Sequence, residues 1–227
     1  MKRRLAALTA ALIVVVPLSV VAARWQWSRH VEREARNNQV VRALASPVTS
    51  FPGPLVDGYQ DADRYRRIRV EGAFDFTQQL LVRKSVVNGN VGYSVMTPLV
   101  TKSGVTLFVI RGWSEAPIGR PAMQRSDASV VLRIQPVLPN GDMRPADLPP
   151  DQINWVDPLA IASGPAITDA VLELVTPSDA SLVTIPGPTI SSGPHVSYTV
   201  QWILIGLTAV IVYVRVTRRE LQDFREN

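Results

Sequence analysis

Two uninterrupted apolar stretches limit what this 227-residue chain can fold into. Leu5 to Ala23 and Val196 to Val214 each contain 19 residues without a charged side chain. A helix of that length spans roughly 28 Å, which is close to the ~30 Å hydrocarbon core of a bilayer. Both stretches are therefore predicted to be transmembrane helices, at residues 5–23 and 196–214.

The first stretch has a second interpretation. Lys2 to Arg4, the apolar run and Val21-Ala22-Ala23 also resemble a secretory signal peptide. The apolar region of a signal peptide usually has about 7 to 15 residues, so the longer run here favours a retained anchor.

Basic residues flank both apolar stretches at the ends that are predicted to lie on the same side of the membrane. Lys2, Arg3 and Arg4 precede the first, and Arg215, Arg218 and Arg219 follow the second. Lys and Arg close to a span are retained in the cytoplasm. Residues 1–4 and 215–227 are therefore predicted to be cytoplasmic, and residues 24–195 to form an extracytoplasmic domain.

Composition excludes several classes of function. The chain has no Cys and only two histidines, His30 and His195, so thiolate metal sites, disulfides and multi-histidine centres are excluded. Residues 24–195 carry 17 basic and 16 acidic side chains, so the net charge of +5 comes mainly from the tails. No nucleic-acid partner is predicted. Arg outnumbers Lys 21 to 3, which suggests a GC-rich bacterium and hence the bacterial plasma membrane.

The region between the spans is predicted to be mainly antiparallel β, in an α+β arrangement. Residues 24–44 continue the first helix, and Pro and Gly at 47–54 stop it. Apolar residues then alternate with polar ones from Tyr65, and Asn88-Gly89 predicts a tight hairpin turn. Further strands are predicted at 80–87, 91–100, 105–110, 130–137 and 170–176. The expected fold is a curled sheet or partly open barrel.

Motifs for catalysis are absent from the sequence. It contains no P-loop, no Gly-x-Ser-x-Gly elbow and no His-Glu-x-x-His. The carboxylate pairs Asp61/Asp63 and Asp147/Asp151 lie in Pro-rich or polar loops, so they are expected to be solvated. From the residues alone, an enzyme is expected only if its motif is unfamiliar.

Four blocks of residues are spread in order along nearly the whole chain. They are Trp25-Gln26-x-x-Arg29; Tyr65-Arg66 followed by Val70, Gly72 and Phe74-Asp75; Gly92 through Thr97-Pro98, Gly104 and Arg111-Gly112-Trp113; and His195-x-x-Tyr198-x-x-x-Trp202. Together they resemble the surfeit locus protein 1 family of cytochrome c oxidase assembly factors. The resemblance implies haem a as a transiently bound cofactor. It implies cytochrome c oxidase subunit I as a partner, with haem a synthase as a further candidate.

His195 is the main candidate for binding the iron of that haem. It precedes an apolar span, and a neutral imidazole is a good axial ligand. In a helix, His195, Tyr198 and Trp202 would share one face. The alternative is that these residues anchor the span at the headgroup level.

The other candidates also have two interpretations. Trp25, beside Gln26 in the first block, and Trp27 could form a wall of a haem pocket or an aromatic belt. Arg111 could bind a haem propionate through paired hydrogen bonds or hold a structural corner before Gly112. His30 is expected to be solvated on a charged helix.

Two functions therefore remain open at this point. One is a chaperone that binds haem a and assists its insertion into oxidase subunit I. The other is a haem-free scaffold that stabilises the nascent subunit.

Overall fold

The computed structural model describes residues 2–226, with the side chains of residues 3–222. The described residues form three α-helices: α1 (Lys2–Ala45), α2 (Pro158–Ile161) and α3 (His195–Glu226). It divides into two compact units. The helical unit contains the chain up to Asn38 and from Ile190 onward, and the β unit contains Gln39–Thr189.

The first and third helices are both long and apolar enough to cross a bilayer. α1 has 44 residues and continues through Pro17, so the predicted helix beyond residue 23 is confirmed. At about 1.5 Å per residue it is roughly 66 Å long, about twice the hydrocarbon core. α3 has 32 residues and starts at His195, one residue before the predicted span. Large apolar side chains such as Ile13, Leu18 and Leu204 are more than half exposed on both helices.

The two long helices run antiparallel within the helical unit. Thr9 Oγ1 lies 3.2 Å from Tyr213 Oη near one end, and Gln26 Oε1 lies 2.9 Å from His195 Nδ1 near the other. Between these contacts, a Cβ on Gly206 would lie 3.3 Å from Ser19 Cβ. Glycine therefore permits a close approach of the two helices at this point.

A heptad-like stripe on each helix carries this contact, and we call the two stripes the helix seam. On α1 the stripe continues past the start of α3, where Arg33 lies beside Gly193 and Asn37 Nδ2 donates to the Ser191 carbonyl. The members of the seam are shielded relative to their neighbours and recur at alternating spacings of three and four residues. They are Thr9, Leu12, Val16, Ser19, Ala23, Gln26, His30, Arg33 and Asn37 on α1, and His195, Thr199, Trp202, Gly206, Ala209 and Tyr213 on α3. This period of 3.5 is the pattern of left-handed coiled-coil packing.

The apolar positions Trp27, Val31 and Ala35 do not form the packed face of α1. Trp27 and Val31 are 52% and 49% exposed, and the seam runs along Gln26, His30 and Arg33 instead. The predicted helix over residues 24–44 is thus present, and the face that packs is its polar one.

The β unit contains eight strands: β1 (Thr49–Ser50), β2 (Arg67–Asp75), β3 (Leu80–Val87), β4 (Asn90–Thr101), β5 (Thr106–Ser114), β6 (Arg125–Pro136), β7 (Gln152–Ile153) and β8 (Ala170–Thr176). The predicted strands are all present, and β8 has the predicted bounds. The two-residue strands β1 and β7 were not predicted. Asn88 and Gly89 have φ values of 52° and 85°, so the predicted hairpin turn is confirmed.

Five strands close into a barrel-like circuit. β2 pairs with β6, β6 with β8, β8 with β5, β5 with β4, and β4 returns to β2. Most pairings are antiparallel, while β1–β2, β3–β7 and β5–β8 are parallel. Closure removes exposed strand edges from the circuit.

Alternation along β5 explains how its apolar run is buried on both faces. Leu107 and Val109 belong to one core cluster, with Ile68 and Leu132, while Phe108 and Ile110 belong to a second. The second cluster also contains Ile153 and Val156 from the segment between β6 and β8, and Ile161 packs against it. The side chains of β5 therefore pack into an apolar cluster on each face of the sheet.

Arg111 and Gly112 lie inside β5 and not at the turn that the sequence suggested. Val95 pairs with Gly112 and Met96 with Ile110, so Arg111 is the extra residue of a β-bulge. Gly112 does not have a positive φ. A Cβ there would lie 2.6 Å from Leu182 Cβ and 2.9 Å from the Val183 carbonyl oxygen, so the chain at residues 182–183 approaches Gly112 closely.

We predict that Gly112→Val lowers the free energy of unfolding by about 1–3 kcal/mol, because overpacked atoms must move. Gly164→Val is the matched control, since a Cβ at Gly164 meets no atom within 4 Å. Thermal unfolding of the purified full chain should show a lower midpoint for Gly112→Val than for the control. Equal midpoints would show that this close approach does not constrain the fold.

Candidate cofactor-binding site

The loop before α3 fixes the position of His195. Gly193 has a φ of +64°, and its N–H donates to Ser191 Oγ at 3.2 Å. The Pro194 carbonyl then accepts from Ser197 Oγ at 2.7 Å and from the Tyr198 N–H at 3.1 Å. Glycine reaches this left-handed conformation without strain, and the proline that follows cannot continue a helix backwards. His195 is consequently held as the first residue of α3.

Gln26 orients the His195 ring across the helix seam. Its Oε1 lies 2.9 Å from His195 Nδ1. An amide oxygen accepts a hydrogen bond, so this arrangement places the imidazole proton on Nδ1 and leaves the lone pair on Nε2. The same logic holds metal-binding histidines in one tautomer elsewhere in proteins. The His195 carbonyl accepts from Thr199 Oγ1 at 2.9 Å, which further fixes this turn.

The aromatic candidates divide between the seam and the exposed flanks. Trp202 is half-buried on the seam and lines a groove of about 280 Å³ with Ser19, Ala23 and Gly206. Trp25 and Tyr198 are 55% and 46% exposed. Tyr198 thus lies at the exposed edge of the helix face that it was predicted to share with His195 and Trp202. Thr199 is the buried residue at this level of the seam.

His30 is not the solvated residue that the charged sequence around it suggested. Its side chain is 16% exposed, its Nε2 lies 3.4 Å from Glu34 Oε2, and its ring lies 5.3 Å from that of Trp27. His30 Nδ1 is buried without a hydrogen-bond partner among the described residues. Its place on the helix seam explains this burial.

Arg33 is the residue of this region that the sequence did not single out. It is half-buried on the seam, and its guanidinium lies next to Gly193. The spacing of Gln26, His30 and Arg33 by four and three residues was the available signal. This spacing was missed because a packed helix face is usually recognised by apolar residues, and these seam residues are polar.

Arg111 lies in the β unit, where its three guanidinium nitrogens each have a partner. Nε donates to Thr97 Oγ1 at 2.9 Å, and Nη2 donates to Gln79 Oε1 at 2.8 Å. Nη1 forms an ion pair with Asp179, and the guanidinium lies 4.8 Å from the centre of the Phe76 ring. These contacts support the structural interpretation of Arg111. Binding of a propionate by Arg111 stays a prediction.

Burial and charge shift the pKa values of Arg111 and Asp179 in opposite directions. Burial lowers the pKa of Arg111, while the negative charge of Asp179 raises it. Burial alone would raise the pKa of Asp179. Hydrogen bonds from the Ser181 side chain and N–H, together with the charge of Arg111, outweigh burial and hold this pKa below its ordinary value.

Comparison with known proteins places these features in a family. The sequence matches the model of the SURF1 family over residues 13–207, which include all six candidate residues. The chain belongs to the SURF1 family. It is similar to uncharacterized SURF1-like proteins of Mycobacterium bovis and Mycobacterium tuberculosis. Each is 24% identical over 224 residues, covering 88% of this chain and 80% of the relative.

SURF1 membership confirms the resemblance carried by the four sequence blocks. Members of the SURF1 family are generally oxidase assembly factors, and the family is one of assembly factors and not of enzymes. The two apolar helices at the ends of the chain are compatible with a membrane protein.

We predict that the stability of this SURF1 protein falls in acid partly through Asp179. A carboxyl whose pKa is depressed by folding contributes stability that is complete above its unfolded pKa of about 3.9 and is lost as the pH falls through its lower folded pKa. Thermal midpoints should therefore drop from about pH 5 to pH 3, and drop less steeply in Asp179→Asn.

Asp147→Asn, in an exposed loop, is the control and should keep the wild-type pH dependence. Asp179→Asn should also be less stable at neutral pH, because it leaves the buried Arg111 charge without its partner. Parallel pH curves for wild type and Asp179→Asn would contradict this account.

Proposed function

We propose that this protein is a haem a chaperone for the assembly of an aa3-type cytochrome c oxidase. It spans the bacterial plasma membrane through α1 and α3, binds haem a at His195 and assists its insertion into oxidase subunit I. In the oxidase the haem supplies redox-active iron, whereas here it is cargo.

The observation that carries this proposal is the hydrogen bond between Gln26 and His195. It leaves Nε2 as the free nitrogen, which is the atom that an axial ligand presents to iron. Gln26 acts as the positioning residue, since it limits rotation of the ring and sets its tautomer. Held in this way, the imidazole can bind iron without first being reoriented.

The surroundings of His195 suit an apolar macrocycle better than a bare metal ion. The described residues contain no group of three or more His, Asp or Glu side chains that could enclose an ion. A porphyrin supplies its own equatorial nitrogens and needs only an axial ligand from the protein. The exposed rings of Trp25 and Tyr198, and the apolar helix surfaces, offer contacts for its edge.

Charge supports the orientation proposed for the two spans. α1 and α3 are antiparallel, so the basic residues before one span and after the other lie at the same end of the helical unit. Such residues are retained in the cytoplasm. The proposal therefore puts both termini in the cytoplasm, and the β unit and His195 on the outer side.

We expect His195→Ala to insert and accumulate but to lose most of its haem. One interfacial side chain contributes little compared with burial of a 19-residue apolar span in the bilayer. The measurement is the haem-to-protein ratio, from absorption spectra of protein purified in detergent from cells that make haem a. His30→Ala removes the chain's other histidine and should keep its haem.

Equal haem content in wild type and His195→Ala would eliminate the ligand assignment. A colourless wild-type protein that co-purifies with oxidase subunit I would instead favour the haem-free scaffold. Protein abundance is measured in the same membranes, so that loss of haem is separated from loss of protein.

Topology gives a second, independent test. A reporter fused after residue 227 should report the cytoplasm, and the same reporter within residues 139–150 should report the outer side. This result is expected because the positive charges flank the spans at their cytoplasmic ends. Identical reports from both positions, or a mature protein that begins near Arg24, would exclude the two-span arrangement.

A further inference from the structure

We propose that Arg33 is the anion-binding residue of the His195 site and that it recognises a carboxylate of the bound macrocycle. This inference rests on the proposed function, because it concerns a haem propionate. It assigns a role to a half-buried arginine that is separate from iron binding.

The position of Arg33 is defined by the glycine corner before α3. A Cβ added to Gly193 would lie 3.0 Å from Arg33 Nη1 and 3.3 Å from His195 Cδ2. The guanidinium and the imidazole therefore both border the corner of the chain at Gly193. Cδ2 is bonded to Nε2, so the imidazole edge that borders this corner is the one that carries the free nitrogen, while Gln26 holds the Nδ1 edge.

The acidic residues next to Arg33 in the sequence have other partners. Glu32 Oε2 lies 3.0 Å from Arg29 Nη1, and Glu34 Oε2 lies 3.4 Å from His30 Nε2. Within the described residues, no carboxylate lies within salt-bridge distance of Arg33. The first turn of α3 also contains no acidic residue, so the partial positive charge of this helix end adds to that of Arg33.

This guanidinium has no carboxylate partner among the described residues and shares the Gly193 corner with the proposed iron ligand. Such a pair favours a ligand with an apolar body and an acidic edge. Arg binds carboxylates through two parallel hydrogen bonds, which fix orientation as well as affinity. A haem bound at His195 would thus be held in one rotational setting, with a propionate directed towards Arg33. An anionic lipid headgroup offers similar charge, and the experiment separates the two sources.

The test compares two probes that differ only in their carboxylates: ferric protoporphyrin IX and its dimethyl ester. Full-length apoprotein is titrated with each in a neutral detergent, and the Soret band reports binding. Wild type should bind the free acid more tightly than the ester. In Arg33→Gln, affinity for the acid should fall about 10-fold or more, as expected for one charged hydrogen-bonded contact, while affinity for the ester stays unchanged.

Arg29→Gln is the matched control, because Arg29 lies on the same helix and pairs with Glu32. It should keep the wild-type preference for the acid. The spectrum of the bound ester should be the same in wild type and Arg33→Gln, which shows that the His195 ligand is intact.

Three results would overturn the inference while leaving haem binding in place. They are an equal loss of affinity for both probes in Arg33→Gln, no loss for either, and a wild type that does not distinguish the acid from the ester. The last result, combined with binding of phosphatidylglycerol that Arg33→Gln abolishes, would assign the residue to lipid. A wild type that binds neither probe would overturn the proposed function itself.

Discussion

The contact between Ser19 and Gly206 is the constraint on which the helical unit depends. Ser19 is only 3% exposed, and Gly206 has no side chain to hold the helices apart. In the proposed membrane-spanning arrangement lipid does not drive two apolar helices together, so close packing of small residues has to supply much of the attraction. The resulting register decides which residues of α1 face the start of α3. A shift of one residue along α1 would remove Gln26 from His195.

In the proposed function, this helix register also positions the residues that bind haem. The same stripe that packs small residues in the span continues outward as Gln26, His30 and Arg33, where polar side chains replace apolar ones. α1 thereby supplies both the hydrogen bond that fixes the imidazole and the cation at the Gly193 corner. The β unit has its own polar anchor, the buried Arg111–Asp179 pair in the bulge of β5. This pair satisfies Arg111 within the protein.

Local sequence patterns determined much of the fold but little of the site. Strands such as β8 alternate or are continuously apolar and end at turn residues, so their bounds were predictable. The helix seam was not predictable. Every position of an apolar span looks equally suited to packing, and the part of the seam beyond the span is polar. Gln26 and His195 are 169 residues apart, and no local pattern reports such a pairing. The bulge that buries Arg111 likewise depends on its partner strand.

Cysteine cross-linking across the seam tests the register most directly, since the chain has no native Cys. Ser19→Cys with Gly206→Cys should form a disulfide in membranes, because their Cβ atoms would lie 3.3 Å apart, close to the roughly 3.5–4.5 Å of a disulfide. A protease site placed within residues 139–150 reports the link, since cross-linked halves stay joined until they are reduced. Leu18→Cys with Gly206→Cys should remain separable, as Leu18 is 57% exposed. Equal cross-linking of both pairs, or none at Ser19, would contradict the register that brings Gln26 and Arg33 to His195.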